Sequence, residues 1–254
     1  MTTSEIEVFG PDVVEKARAL VERYTADARP GADAQQRAMR ARSALLPMLH
    51  LVQSVQGYVS QEGIDFCAEH LDIAAAEVSA VATFYTMYKR RPCGEHLVSV
   101  CTNTLCAALG GDAIYAKLSE HLGVGNEETA GEPGEPGSVT LEHAECLAAC
   151  DLAPVLQVNY EYYDNQTPES AVELVDALRS GQKPAPSRGA PLTDFKSVEL
   201  QLAGFFPEDE ETYRSQVDGS SQAVETLRGA ALAQERGWTA PVMEDVPLPE
   251  AGSK

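Results

Sequence analysis

The chain has 254 residues, 44% of them apolar, with 19 Lys and Arg against 39 Asp and Glu and a formal net charge of −20. That balance counts against nucleic acid or an anionic membrane surface as a partner, since both need a basic face, and no apolar run approaches the roughly 18 residues that span a bilayer. At about 150 residues per domain the length allows one domain or two. The acidic excess serves solubility or steers the chain toward a basic partner.

The start, MTTSEIEVFGPDVVEK, has no basic patch followed by an apolar stretch, so no signal peptide is expected. Residues 1–95 read as a helical domain. PDVVEKARALVERY opens with Pro11 at a plausible first helical position and repeats Val13, Val14, Ala17, Leu20 and Val21. Residues 29–33 (RPGAD) break the period. The next segment carries Leu45, Leu46, Met48, Leu49, Val52 and Val55, with Pro47 in its first turn or at a kink and Gly57 at its end. Ser60 is a cap for a third helix that turns Ile64, Phe66, Cys67 and Leu71 inward. A fourth, around AAAEVSAVATFYTMY, repeats Val78, Val81, Ala82 and Tyr85. Together these predict a packed bundle.

From His96 the period changes. HLVSVC alternates and is Val-rich, a strand running into Cys101. GGDAIYAKLSEHLG predicts a helix with Ile114, Leu118 and Leu122 in register, its Gly110-Gly111 pair a helix-start turn. GNEETAGEPGEPG predicts a loop. SVTLEHAEC is a second strand, and VLQVNYEYYDN a hairpin turning near residues 159–161. PESAVELVDALRSG is a helix with Pro168 near its start and Gly181 at its stop. The order β-α-β-β-β-α over 96–182 predicts an α/β sandwich of thioredoxin-like type. From residue 183 the composition shifts: KPAPSRGAP reads as a linker, and FKSVELQLAGFF and AVETLRGAALAQERGW are too short for a core of their own. An extended, largely irregular C-terminal arm on a partner is expected over 183–254, with plain disorder the competing reading.

Four cysteines stand in two pairs at the strand ends. Four residues separate Cys101 from Cys106, three separate Cys146 from Cys150, and 39 lie between the pairs. Six cysteines without a secretory signal point to a reducing compartment, where thiols serve metals. Four thiolates suit a [2Fe–2S] cluster and also suit tetrahedral zinc, whose pairs are commonly spaced C-x₂₋₄-C. Spacing alone leaves both open, together with structural or disulfide cysteines. His143, three residues before Cys146, reads as a surface or supporting group. Cys67 reads as a buried thiol and Cys93, in a Pro-Cys-Gly turn, as an exposed one.

The segments LLPMLHLVQSVQGYVS, VSAVATFYTMYKRRPCG, CTNTLC and ECLAACDLAPVLQVN closely resemble the family of E subunits of bacterial NADH–quinone oxidoreductase, respiratory complex I, over about residues 35–182. The resemblance implies a thioredoxin-like [2Fe–2S] ferredoxin domain behind a small helical bundle, with Cys101, Cys106, Cys146 and Cys150 as cluster ligands. It implies one-electron exchange with FMN on a partner subunit that also binds NADH, beside other peripheral-arm subunits at the cytoplasmic face of the membrane. Sister proteins with this motif serve NAD-linked hydrogenases and formate dehydrogenases, so an equivalent diaphorase subunit is the alternative. The chain departs from the family in having Ala148 where Gly is common and in its longer Glu/Pro-rich loop. No G-x-G-x-x-G follows a strand and no Walker A loop is present, so no residue of this chain is expected to be catalytic toward NADH alone. Thr102, Asn103 and Thr104 are candidate donors to the sulfurs, and Asp151 a negative charge that lowers the potential. A thioredoxin-like disulfide oxidoreductase is disfavoured, because it would use C-x-x-C. A zinc-stabilised interaction module is the other rival.

Overall fold

The helical region is built around the helix that spans Leu45–Gln56. The structure, a computed structural model, describes residues 3–26, 34–206 and 224–239; the expected break at 29–33 and the tail from 241 lie outside the described residues. α1 (Thr3–Thr25) is interrupted at Gly10, whose φ of 71° and ψ of 166° are not helical, and Pro11 opens its second part. α2 (Ala34–Ala41) passes through a 3₁₀ turn (Arg42–Ala44) into α3 (Leu45–Gln56). Pro47 sits in the first turn of α3, where its missing N–H has no helical partner to lose, and Gly57 ends the helix at φ 78°. Ser60 caps α4 (Gln61–Leu71), accepting from the Gly63 N–H at 3.0 Å. α5 (Ala75–Phe84) is shorter than its period predicts. The chain leaves it at Tyr85, which is 40% exposed rather than inward, and Tyr88 turns in beside His50 and donates to the Leu46 carbonyl at 2.9 Å.

The second region is a five-stranded sheet of order β2-β3-β1-β4-β5, made of β1 (His96–Cys101), β2 (Glu128–Ala130), β3 (Val139–Ala144), β4 (Leu156–Val158) and β5 (Glu161–Tyr163). β1 and β3 run parallel; every other pair is antiparallel. Asn159 and Tyr160 turn the β4–β5 hairpin with φ of 47° and 69°, the two positive values that a tight hairpin turn needs. All six residues of β1 are buried, although its sequence alternates. It is central and covered on both faces. Val98 and Val100 pack with α7 (Gly111–Leu122) and α8 (Pro168–Arg179), and Leu97 packs with Phe195 and Val198 on the other side. β2 lies within the stretch predicted as loop; three residues at a sheet edge are too few to show a period. A short α6 (Thr104–Ala108) precedes α7.

The arm expected from residue 183 is corrected over 183–206. Its first part lies along β5: the Ser187 N–H donates to the Tyr162 carbonyl and the Tyr163 hydroxyl to the Pro184 carbonyl, both at 2.8 Å. Then α9 (Phe195–Leu202) begins at Asp194, which accepts from the Ser197 N–H at 2.9 Å. Phe195, Val198 and Glu199 are buried, and Ala203, Leu200 and Phe205 join the helical core. The short apolar groups that cannot order a free segment find a preformed surface on their own chain. From residue 222 the chain forms a separate unit containing the helix Val224–Glu235; residues 207–223 are not described.

Candidate functional site

Parallel pairing brings the two cysteine pairs together. Cys101 ends β1 opposite Ala144, the last residue of β3. Neighbouring parallel strands end on the same edge of a sheet, so the loop after β1, with Cys106 in α6, meets the loop after β3, with Cys146 and Cys150. The Thr102 N–H donates to the Ala144 carbonyl at 3.1 Å and the Cys101 N–H to the Val155 carbonyl at 3.2 Å. Gly111 opens α7 directly over this loop. A Cβ there would collide with the Cys101 carbonyl and come within 2.9 Å of the Cys106 carbonyl. The sequence marked the pair Gly110-Gly111 only as a turn; its second glycine lets α7 close onto the cysteine loop.

Cys146 Sγ and Cys150 Sγ are 3.7 Å apart. Two thiolates on one tetrahedral metal, each about 2.3 Å from it, stand about 3.8 Å apart. Burial pushes the Cys106 thiol up to about 11; a bond with the Val155 backbone opposes this, while the Cys101 hydrogen bond and charge and the Cys150 charge add to it. The Cys150 thiol is raised first by its hydrogen bond to Cys146 and that residue's charge, then by burial, Cys101 and Asp151. These links join all four sulfurs. Among the described residues, no three His, Cys, Asp or Glu converge on one point; the sulfurs stand as two pairs, Cys101 and Cys106 buried, Cys146 and Cys150 exposed. Thiolates crowded together repel one another, and a cation bound among them relieves that repulsion, so the donor set fits a thiolate-bound metal centre.

The side chains of Thr102, Asn103 and Thr104 bond elsewhere than to sulfur. Asn103 donates to Glu145 at 2.9 Å, tying the two loops, and Thr102 reaches the Ala144 carbonyl at 3.4 Å. Thr104 bonds Asn103 at 3.4 Å. Two backbone donors that do reach a sulfur went unread in the sequence: Val155, bonded to Cys106 as above, and the Ala148 N–H, 3.4 Å from Cys146 Sγ, on a residue with φ of 57°. His143 is exposed, its ring edge-on to Tyr115. Cys67 is buried as expected. Cys93 is buried too, against expectation, because Phe195 and Val198 of α9 cover it.

The sequence model of the thioredoxin-like [2Fe–2S] ferredoxin family matches residues 32–179. The E subunit of NADH-quinone oxidoreductase from Mycobacterium tuberculosis (strain ATCC 25618 / H37Rv) is 54% identical over 200 residues, covering 79% of this chain and 76% of its own. The mitochondrial NADH dehydrogenase [ubiquinone] flavoprotein 2 of Dictyostelium discoideum is 35% identical over 158 residues, 62% of this chain and 61% of its own. A solved chain of an NAD⁺-reducing [NiFe]-hydrogenase aligns at a TM-score of 0.47 and 14% identity over 54% of this chain and 23% of that one.

Proposed function

Because the chain belongs to the thioredoxin-like [2Fe–2S] ferredoxin family, and within it to the E subunits of NADH–quinone oxidoreductase, we propose that Cys101, Cys106, Cys146 and Cys150 hold one [2Fe–2S] cluster that serves electron exchange with a flavin on a partner subunit. When bound, the cluster supplies one-electron redox chemistry, so a two-electron donor can be handled in single steps. The observation that carries the ligand set is the 3.7 Å between Cys146 and Cys150, the separation of two thiolates on one iron. Cys101 and Cys106 would hold the second iron.

The chain's own residues divide the work. Cys101 and Cys106 anchor the centre in the fold, behind Gly111 and β1. Cys146 and Cys150 present it at the surface, where a partner can approach. FMN and NADH belong on that partner, since this sequence has no dinucleotide fingerprint. Among the described residues no helix is long and apolar enough to cross a membrane. The family membership supports a place among other peripheral-arm subunits at the cytoplasmic face.

The test is reconstitution. NADH should leave the visible spectrum of the purified, iron-loaded chain unchanged and bleach it when the flavin-bearing partner is added. Bleaching by NADH without that partner would overturn the division of labour.

A further inference from the structure

Tyr162 reaches the second cysteine loop from β5. Its hydroxyl donates to the Leu147 carbonyl at 2.8 Å. That carbonyl shares one peptide unit with the Ala148 N–H, and a trans peptide is planar with its C=O and N–H pointing in opposite directions. The N–H on the far side of the unit lies 3.4 Å from Cys146 Sγ. The phenol therefore holds one end of a rigid plate whose other end faces a sulfur. The plate needs holding, because Ala148 has φ of 57°, a left-handed conformation that L side chains disfavour.

The tyrosine ring is itself fixed. Arg188 lies over it, Cζ 4.5 Å from the ring centroid, and donates to Asp164 at 2.9 Å. Tyr162 pairs with Arg188 as neighbouring backbone, and the ring packs among the residues around Cys101, Cys106, Ala149 and Val155. A stacked, paired ring delivers its hydroxyl to one place. Hydrogen bonds in a chain polarise one another, so donation to the carbonyl also strengthens the N–H as a donor.

We propose that Tyr162 is a positioning residue for the cluster: by holding the Leu147 carbonyl it keeps the Ala148 N–H on Cys146 Sγ and raises the reduction potential. N–H bonds to sulfur stabilise the extra negative charge of the reduced state. The proposal rests on the ligand assignment above. It goes beyond that assignment in giving a role to a residue that touches no metal.

The experiment compares the iron-loaded chain with Tyr162→Phe and Tyr163→Phe by potentiometric titration followed by electron paramagnetic resonance. Tyr162→Phe keeps the ring and loses the bond; its reduced-to-oxidised ratio at fixed potential should fall by about threefold, the scale of one net hydrogen bond. Tyr163→Phe loses an equivalent bond, to the Pro184 carbonyl, and should not move the potential. An unmoved Tyr162→Phe, or an equal shift in both variants, overturns the proposal. A second measurement covers a Tyr162→Phe chain that fails to hold iron. In metal-free protein the Leu147 carbonyl ¹³C and Ala148 amide ¹⁵N resonances should shift in Tyr162→Phe and not in Tyr163→Phe, and unshifted resonances refute it. A wild-type chain that takes up no iron would instead defeat the ligand assignment and leave this peptide measurement standing.

Discussion

His50 Nδ1 on α3 lies 2.6 Å from Glu199 Oε2 on α9, across 149 residues of sequence, with Glu199 fully buried. The Tyr160 hydroxyl donates to the carboxylate's other oxygen at 3.0 Å. Burial, and then the Glu199 charge, hold the Tyr160 phenol well above its usual range, so it remains a donor. One carboxylate thus joins the helical region, the β4–β5 turn and α9.

Replacing Glu199 by Ala leaves buried His50 and half-buried Tyr160 without this partner. Leaving buried hydrogen-bonding groups without their partner costs about 1–3 kcal/mol, read as a lower urea midpoint at unchanged slope. A loss under about 0.5 kcal/mol, the range of an ordinary surface change, would show that α9 is held by its apolar residues alone. Ending the chain after Gln182 should likewise destabilise the helical region, because it removes Leu200, Ala203 and Phe205 from its core.

Thiol reactivity should follow burial. In metal-free native protein, Cys146 and Cys150 are exposed and should be alkylated first. Cys93, pushed up to about 12 by burial, and Cys67, raised still further by burial, should react only on unfolding. Mass spectrometry of timed labelling checks the order, and early labelling of Cys93 would show that α9 opens readily.

Glu161 makes stability depend on pH. Burial raises its carboxyl to about 7, against the Ala190 N–H that donates to it. The folded state thus keeps a proton that the unfolded chain releases near pH ~4.3. The contribution is full below about 4.3 and is lost as pH rises through about 7. Glu161→Gln should flatten that slope in urea midpoints across this window; a slope equal to the wild type's would contradict the assignment.

The sequence made the local signals readable: Ser60 as a cap, Gly57 as a stop, the hairpin turn at Asn159, and both cysteine pairs at strand ends. Each depends on neighbouring residues. The features it hid depend on distant ones. Phe195, Val198 and Glu199 look like a short apolar-bearing stretch, too small for a core, until β1 and α3 supply the surface they cover. The Ala148 N–H is a backbone group that no pattern marks, and Tyr162 reads as one more alternating strand residue.

Metal and sulfide analysis of the purified chain, beside its Cys146→Ser and Cys67→Ala variants, tests the central claim most directly. The account predicts about two iron and two acid-labile sulfide per chain in the wild type and in Cys67→Ala, and loss of both in Cys146→Ser. One zinc without sulfide, or full iron in Cys146→Ser, would contradict it.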